Sequence, residues 1–203
     1  MRTILDSYSS SLIIDKSRFI SVTFHVQNAF EVEAFLKAVR KQYPKAKHYC
    51  YAYVIGQEEK GFDDGEPSKT AGRPLLELLK RGGYDETLIV VIRYFGGTLL
   101  GASRLLRTYV NIANATLSSA EKYRIAKLFA YRLDISYGDY EPLLNEAKKR
   151  SYILENAIFS DTIKIKLLSE ENAEEFLRQF LQGNGKIDLL VPEKRYLKEI
   201  END

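Results

Sequence analysis

Two short stretches hold most of the side chains suited to chemistry. Gly61 to Pro74 reads GFDDGEPSKTAGRP, a turn that sets the carboxylates of Asp63, Asp64 and Glu66 just ahead of Lys69, Thr70, Gly72, Arg73 and a helix start. Val91 to Gly101 reads VIRYFGGTLLG, an apolar strand pattern that ends in Arg93, Tyr94 and Phe95 and passes through Gly96 and Gly97 toward a second helix. Three acids so close together could ligate a hard cation such as Mg²⁺, which takes carboxylate oxygens and needs few protein ligands. They could equally build a turn, with Gly65 free to take a positive φ and Asp64 bonding nearby amides. The spacing is not an EF-hand loop and no phosphate-loop lysine motif accompanies it, so the turn is preferred and no metal is assigned.

Helix starts present free amides and a positive dipole end, which suit an anion. Thr70-Ala71-Gly72-Arg73 precedes one predicted helix and Gly96-Gly97-Thr98 another. Arg73, Arg93, Arg104 and Arg107 are the accompanying cations, and Arg104 and Arg107, three apart, share a helix face. A phosphate or nucleic-acid site is expected here, with Tyr94 and Phe95 placed to stack on unpaired bases. Alternatively Arg93 pairs with Asp63 or Asp64 and locks the two loops together. Both hold if phosphate reaches only Arg73, Arg104 and Arg107.

Other chemistry reads as structural. Tyr49, Tyr51 and Tyr53 share one strand face and are expected in the core. His48 and Cys50 also share a face, but no third residue orients them as a nucleophile pair. With one cysteine and two histidines, a thiolate zinc site is excluded.

Together the two stretches resemble the YigZ/IMPACT family, whose signature couples a DDGEP-type turn to a V-x-R-Y-x-G-G segment followed by L-G. The resemblance extends through Lys16-Ser17-Arg18-Phe19-Ile20 and His48-Tyr49-Cys50 to about Tyr109. It implies a soluble protein linked to translation regulation with no established catalysis, and the expected reading is a non-catalytic binding protein with RNA or a ribosome-associated protein as partner and no cofactor. A Mg²⁺-dependent enzyme acting on a phosphorylated small molecule and a purely protein-binding regulator are the alternatives. It also implies an N-terminal α/β fold like domain 2 of ribosomal protein S-five. Lys69 stands where the family commonly has a small residue, and Ala102-Ser103 replaces a more glycine-rich pair.

The chain of 203 residues is 45% hydrophobic and 29% charged, as expected of a folded protein. A formal charge of +2 means that attraction to nucleic acid must come from local patches. One cysteine rules out an internal disulfide, and the N-terminal MRTILDSYSSSLIID fits neither a signal peptide nor a membrane span, so a cytoplasmic, non-membrane protein is expected. Patterning predicts two strands across Ser11 to Val26 turning at Asp15-Lys16, then a helix capped by Asn28 and Glu31 and ended by Pro44. A strand from Tyr49 to Ile55, a helix from Pro74 to Gly82, a buried strand from Leu88 to Ile92 and a long helix from Gly97 to Ser119 follow. Beyond Glu121 come strand (Lys127 to Ile135), helix (Glu141 to Arg150), strands (Tyr152 to Phe159, Thr162 to Leu168), helix (Glu170 to Leu181, capped by Ser169) and strand (Lys186 to Leu190). That order is βαββαβ, ferredoxin-like. The expected fold class is α+β, with domains at 1–120 and 121–203 and an oligomeric state that the residues do not specify.

Overall fold

The computed structural model describes residues 1–199. The chain divides into two compact units: Met1–Arg124, joined by Lys198 and Glu199, and Ile125–Leu197. The division falls inside a strand, a few residues beyond the expected boundary. Both units are mixed α+β, with antiparallel strand pairing in each.

In the first unit β1 (Arg2–Thr3) precedes β2 (Tyr8–Ile14) and β3 (Ser17–His25). The last two form a hairpin in which Asp15 and Lys16 take φ values of 45° and 63°. Two successive positive-φ residues make the type I′ turn whose twist matches the strands. Helix α1 (Ala29–Gln42) is capped as expected: the Glu31 amide donates to Asn28 Oδ1 at 3.0 Å, while the Glu31 carboxylate accepts from the Gln27 amide at 2.7 Å. β4 (His48–Ile55), β5 (Glu58–Phe62), α2 (Gly72–Arg81), β6 (Thr87–Tyr94) and α3 (Ala102–Ser119) complete the unit. β5 was not expected; its Glu-Glu-Lys-Gly-Phe sequence is exposed throughout and carries no apolar alternation, because it is an edge strand.

The sheet order is β2-β3-β6-β4-β5. Central β6 buries apolar side chains on both faces: Ile89 and Val91 join Leu75, Leu79, Leu105 and Ile112 under α2 and α3, while Leu88, Val90 and Ile92 meet Val32, Leu36 and Val39 of α1. Tyr51 and Tyr53 are buried in the α1 layer and Tyr49 is half-buried there.

The second unit runs β7 (Tyr123–Ile135), α4 (Tyr137–Arg150), β8 (Ile153–Phe159), β9 (Ile163–Ser169), α5 (Glu174–Leu181) and β10 (Lys186–Lys198). Its strands lie in the order β10-β7-β9-β8. The βαββαβ order stands, with shifted helix ends. α4 starts four residues earlier than expected because Ser136 caps it, its Oγ accepting from the Asp139 amide at 3.2 Å, so Pro142 lies within the helix. α5 starts four residues later: Ser169 ends β9 and donates to the Glu171 carbonyl at 2.8 Å, and Asn172 Oδ1 accepts the Glu174 amide at 2.9 Å. Ser169 is therefore not the cap.

Candidate functional site

The acidic turn is assembled by its own hydrogen bonds. Asp63 Oδ1 accepts the amides of Ala71 and Gly72 at 3.0 and 2.8 Å, and Oδ2 accepts that of Lys69 at 3.0 Å. Ala71, the residue before α2, has no capping side chain of its own, so Asp63 caps the helix from eight residues upstream. The helix start expected to welcome an external anion is already occupied by an internal one. Gly72 is required there for a second reason: a Cβ on it would lie 2.2 Å from the Phe62 nitrogen, where β5 passes against the helix start.

Asp64 accepts the Tyr49 amide through Oδ2 at 2.7 Å, and its own carbonyl lies 2.8 Å from His48 Nδ1. A carbonyl only accepts, so Nδ1 carries the proton. Arg40 approaches Asp64 Oδ1 at 3.8 Å. Lys69 takes φ 63°, a conformation that glycine adopts without strain.

Glu66 points inward and is 8% exposed. Arg93, 4% exposed at the end of β6, donates from Nη1 to its two oxygens at 2.7 and 3.0 Å. Arg93 thus pairs with Glu66, not with Asp63 or Asp64: those two acids are turned to the backbone, while Glu66 alone projects beneath α3. The Tyr109 hydroxyl donates to Glu66 Oε1 at 2.8 Å, and His48 Nε2 lies 3.8 Å from Oε2. The rings of Phe19 and Phe95 lie 5.2 and 5.3 Å from the Arg93 guanidinium carbon. Nε and Nη2 of Arg93 are buried without a hydrogen-bond partner among the described residues.

Cys50 adjoins this network, its Sγ 2.9 Å from the Asp63 carbonyl and 3.3 Å from the Tyr109 hydroxyl. One thiol proton can serve only one of them. Burial pushes the thiol well above its ordinary pKa, and the Glu66, Asp64 and Asp63 charges add to this against the opposing Tyr109 hydrogen bond. Tyr109 is likewise raised, by burial first and then by its acidic neighbours. A raised thiol is a poor nucleophile.

The second glycine stretch does not open α3 directly. The helix begins at Ala102, with Gly101 at φ 76° before it and Gly97 at φ 89°. Gly96 is held by proximity, since a Cβ there would lie 2.1 Å from the Lys16 carbonyl carbon, and its amide donates to Ser17 Oγ at 3.1 Å. The loop is thereby fastened to the β2–β3 turn. Tyr94 packs toward the α1 layer and donates to the Pro44 carbonyl at 3.1 Å, whereas Phe95 covers Arg93 and stays 44% exposed.

The expected cations separate. Arg93 is internal, and Arg104 forms an exposed pair with Asp15 at 2.5 Å. Arg73, Arg107 and Lys69 are exposed and take no ion pair among the described residues. Lys69 and Arg73 line a groove of about 620 Å³ between α2 and α3, together with Pro74, Glu77, Leu78, Arg81, Leu106 and Val110. Arg81 was not anticipated, although Arg73, Glu77 and Arg81 recur every four residues and so share a helix face. Three cations against one acid line an apolar floor. Among the described residues no set of three His, Cys, Asp or Glu side chains converges as metal ligands.

A two-unit α+β protein with this DDGEP turn locked to an RYFGG strand end has clear relatives. The Impact N-terminal domain model matches residues 15–117. IMPACT family member YvyE of Bacillus subtilis (strain 168) is 32% identical over 205 residues, covering 98% of this chain and 94% of that protein. IMPACT family member YigZ of Escherichia coli (strain K12) is 40% identical over 129 residues, covering 61% of this chain and 63% of that one. A crystal structure described as that of a hypothetical protein matches with a TM-score of 0.62 at 29% identity, covering 95% of this chain and 97% of its own. The chain belongs to the IMPACT family. No described helix is long and apolar enough to cross a membrane.

Proposed function

We propose that the chain is a non-catalytic binding protein acting in translation regulation, and that it holds single-stranded RNA along the groove between α2 and α3. The observation that carries this reading is the composition of the groove: Lys69, Arg73 and Arg81 on its rim, each without an ion pair among the described residues, over Pro74, Leu78, Leu106 and Val110. Cations on a rim suit phosphates, and an apolar floor suits the faces of unpaired bases. Arg107, exposed on α3, is not among the residues that line the groove.

The same turn supports binding over phosphoryl chemistry. Asp63 spends its oxygens on three amides, Asp64 on an amide, and Glu66 on Arg93 and Tyr109. Carboxylates so engaged by internal donors are builders of the surface that presents Lys69 and Arg73. The test is titration of mixed-sequence single-stranded RNA into wild type and Arg73→Ala/Arg81→Ala at low salt. Weaker binding by the double variant, with unchanged unfolding, is expected. Absence of wild-type binding, or equal affinity in both proteins, overturns the reading.

A further inference from the structure

The groove between α2 and α3 does not end at Arg81. Leu78 and Arg81 also line a second cavity, of about 490 Å³, so the two adjoin at those residues. One face of α3 runs along both: Leu106 and Val110 line the first, and Asn114 and Ser118 the second, at four-residue spacing. At a rise of 1.5 Å per residue, about 18 Å of helix separates Leu106 from Ser118.

The lining changes along the way. Apolar Leu106 and Val110 give way to Asn114 and Ser118, both exposed, and Arg2 and Lys122 join Arg81. Among the described residues that line this second cavity none is acidic. Arg2 reaches Glu199 at 3.5 Å through a side chain that is 40% exposed, and a surface pair of this kind is weak enough to yield to a phosphate. The positive charge is felt at buried Tyr84, another lining residue: burial raises its hydroxyl, and the Lys122 and Arg2 charges oppose that rise.

We propose that an RNA strand lying in the groove continues past Arg81 into this second cavity, where Arg2 and Lys122 hold its phosphates. The proposal rests on the RNA reading of the groove and divides the work within it: base faces lie on the apolar stretch, and the sugar–phosphate backbone lies on the polar, basic one. Arg81, common to both cavities, marks the crossing. The occupant is a strand rather than a separate small anion because the cavities share Leu78, Arg81 and one face of α3, so a chain that leaves the first enters the second.

The test titrates the full chain, at low salt, with single-stranded RNA of about 4 and of about 16 nucleotides, the usual span of single-strand sites. Wild type is expected to bind the longer RNA more tightly. Arg2→Ala/Lys122→Ala is expected to weaken binding of the longer RNA about tenfold and to lower its slope of log affinity against log salt by about 0.7 for each phosphate lost, with the shorter RNA unaffected. Asn114→Glu places an acid in the second cavity at an exposed helix position, where glutamate is the better helix former, and is expected to act in the same direction with thermal unfolding unchanged. Equal wild-type affinity for both lengths, a length advantage that survives both variants, or an equal loss for both lengths overturns the proposal and leaves the groove reading standing. A wild type that binds neither RNA overturns the groove reading and this proposal with it.

Discussion

Arg93 Nη1 sits 2.7 and 3.0 Å from the two carboxylate oxygens of Glu66, and both side chains are almost fully buried. This pair joins the end of β6 to the turn that starts α2, and Tyr109 ties it to α3. The most distinctive acid and base of the chain therefore hold three elements in register. A buried pair is costly to break because removing one partner leaves the other charge in a dry interior. Glu66→Ala should lower unfolding stability by about 3–5 kcal/mol in denaturant titration, and Glu66→Gln, which keeps the shape but leaves Arg93 uncompensated, should also destabilise. A loss below about 1 kcal/mol for Glu66→Ala would deny the pair this role.

Asp63 should behave as a remote helix cap. Asp63→Ala removes the acceptor of three amides and should cost about 2 kcal/mol, at the upper end for a cap. Asp63→Asn, which retains one acceptor oxygen, should recover part of that. Hydrogen exchange at Ala71 and Gly72 is the direct measurement, and both amides should exchange faster in Asp63→Ala.

Alkaline pH should destabilise the fold through its buried acids. Cys50 and Tyr109 are raised, by burial first, above ordinary values of 9.0 and 10.0, and burial together with Glu58 pushes Tyr53 up to about 12. Each is neutral in the fold and ionises more readily unfolded, so its contribution is fully present below its ordinary value, 9.0 for Cys50 and 10.0 for the tyrosines, and declines as pH rises above it. Denaturant midpoints should fall steadily from about pH 9 upward, and Tyr109→Phe should flatten that fall. Cys50 should label with a thiol reagent only on unfolding.

The two glycines of the second loop should differ. Gly96→Ala drives a methyl into the Lys16 backbone and should cost about 1–3 kcal/mol or more, as overpacking does. Gly97→Ala meets nothing within 4 Å and bears only the strain of φ 89°, which should be about 1 kcal/mol. Thermal unfolding of both variants ranks them, and a milder Gly96→Ala would contradict the close approach.

RNA binding, on the proposed reading, should be salt-dependent with a slope that reports individual cations. Replacing Lys69, Arg73 or Arg81 with Ala should reduce the slope of log affinity against log salt by about 0.7 for each phosphate that the side chain neutralises. Arg104→Ala should leave the slope nearly unchanged, because that side chain is held by Asp15.

Much of this architecture was legible in the chain. The Asp15-Lys16 turn, the Asn28–Glu31 cap, the buried run of β6 and the βαββαβ order follow from neighbours within a few residues, where backbone preference and hydrophobic period act directly. The family was legible too, since its signature lies in two contiguous stretches. Tertiary structure alone decided the partners. Nothing local distinguishes Glu66 from Asp63 and Asp64 as the partner of Arg93; that choice rests on which carboxylate projects beneath Tyr109 once β6, α2 and α3 pack. β5 is a strand only because β4 offers it an edge, and α3 starts at Ala102 because the loop before it is fastened to Lys16 and Ser17. Likewise α2 and α3 form a groove, and Arg81 joins Lys69 and Arg73, through packing between segments distant in sequence. Short-range propensities are properties of residues, whereas ion pairs and grooves depend on the positions of whole elements, and those are set by the closing of the core.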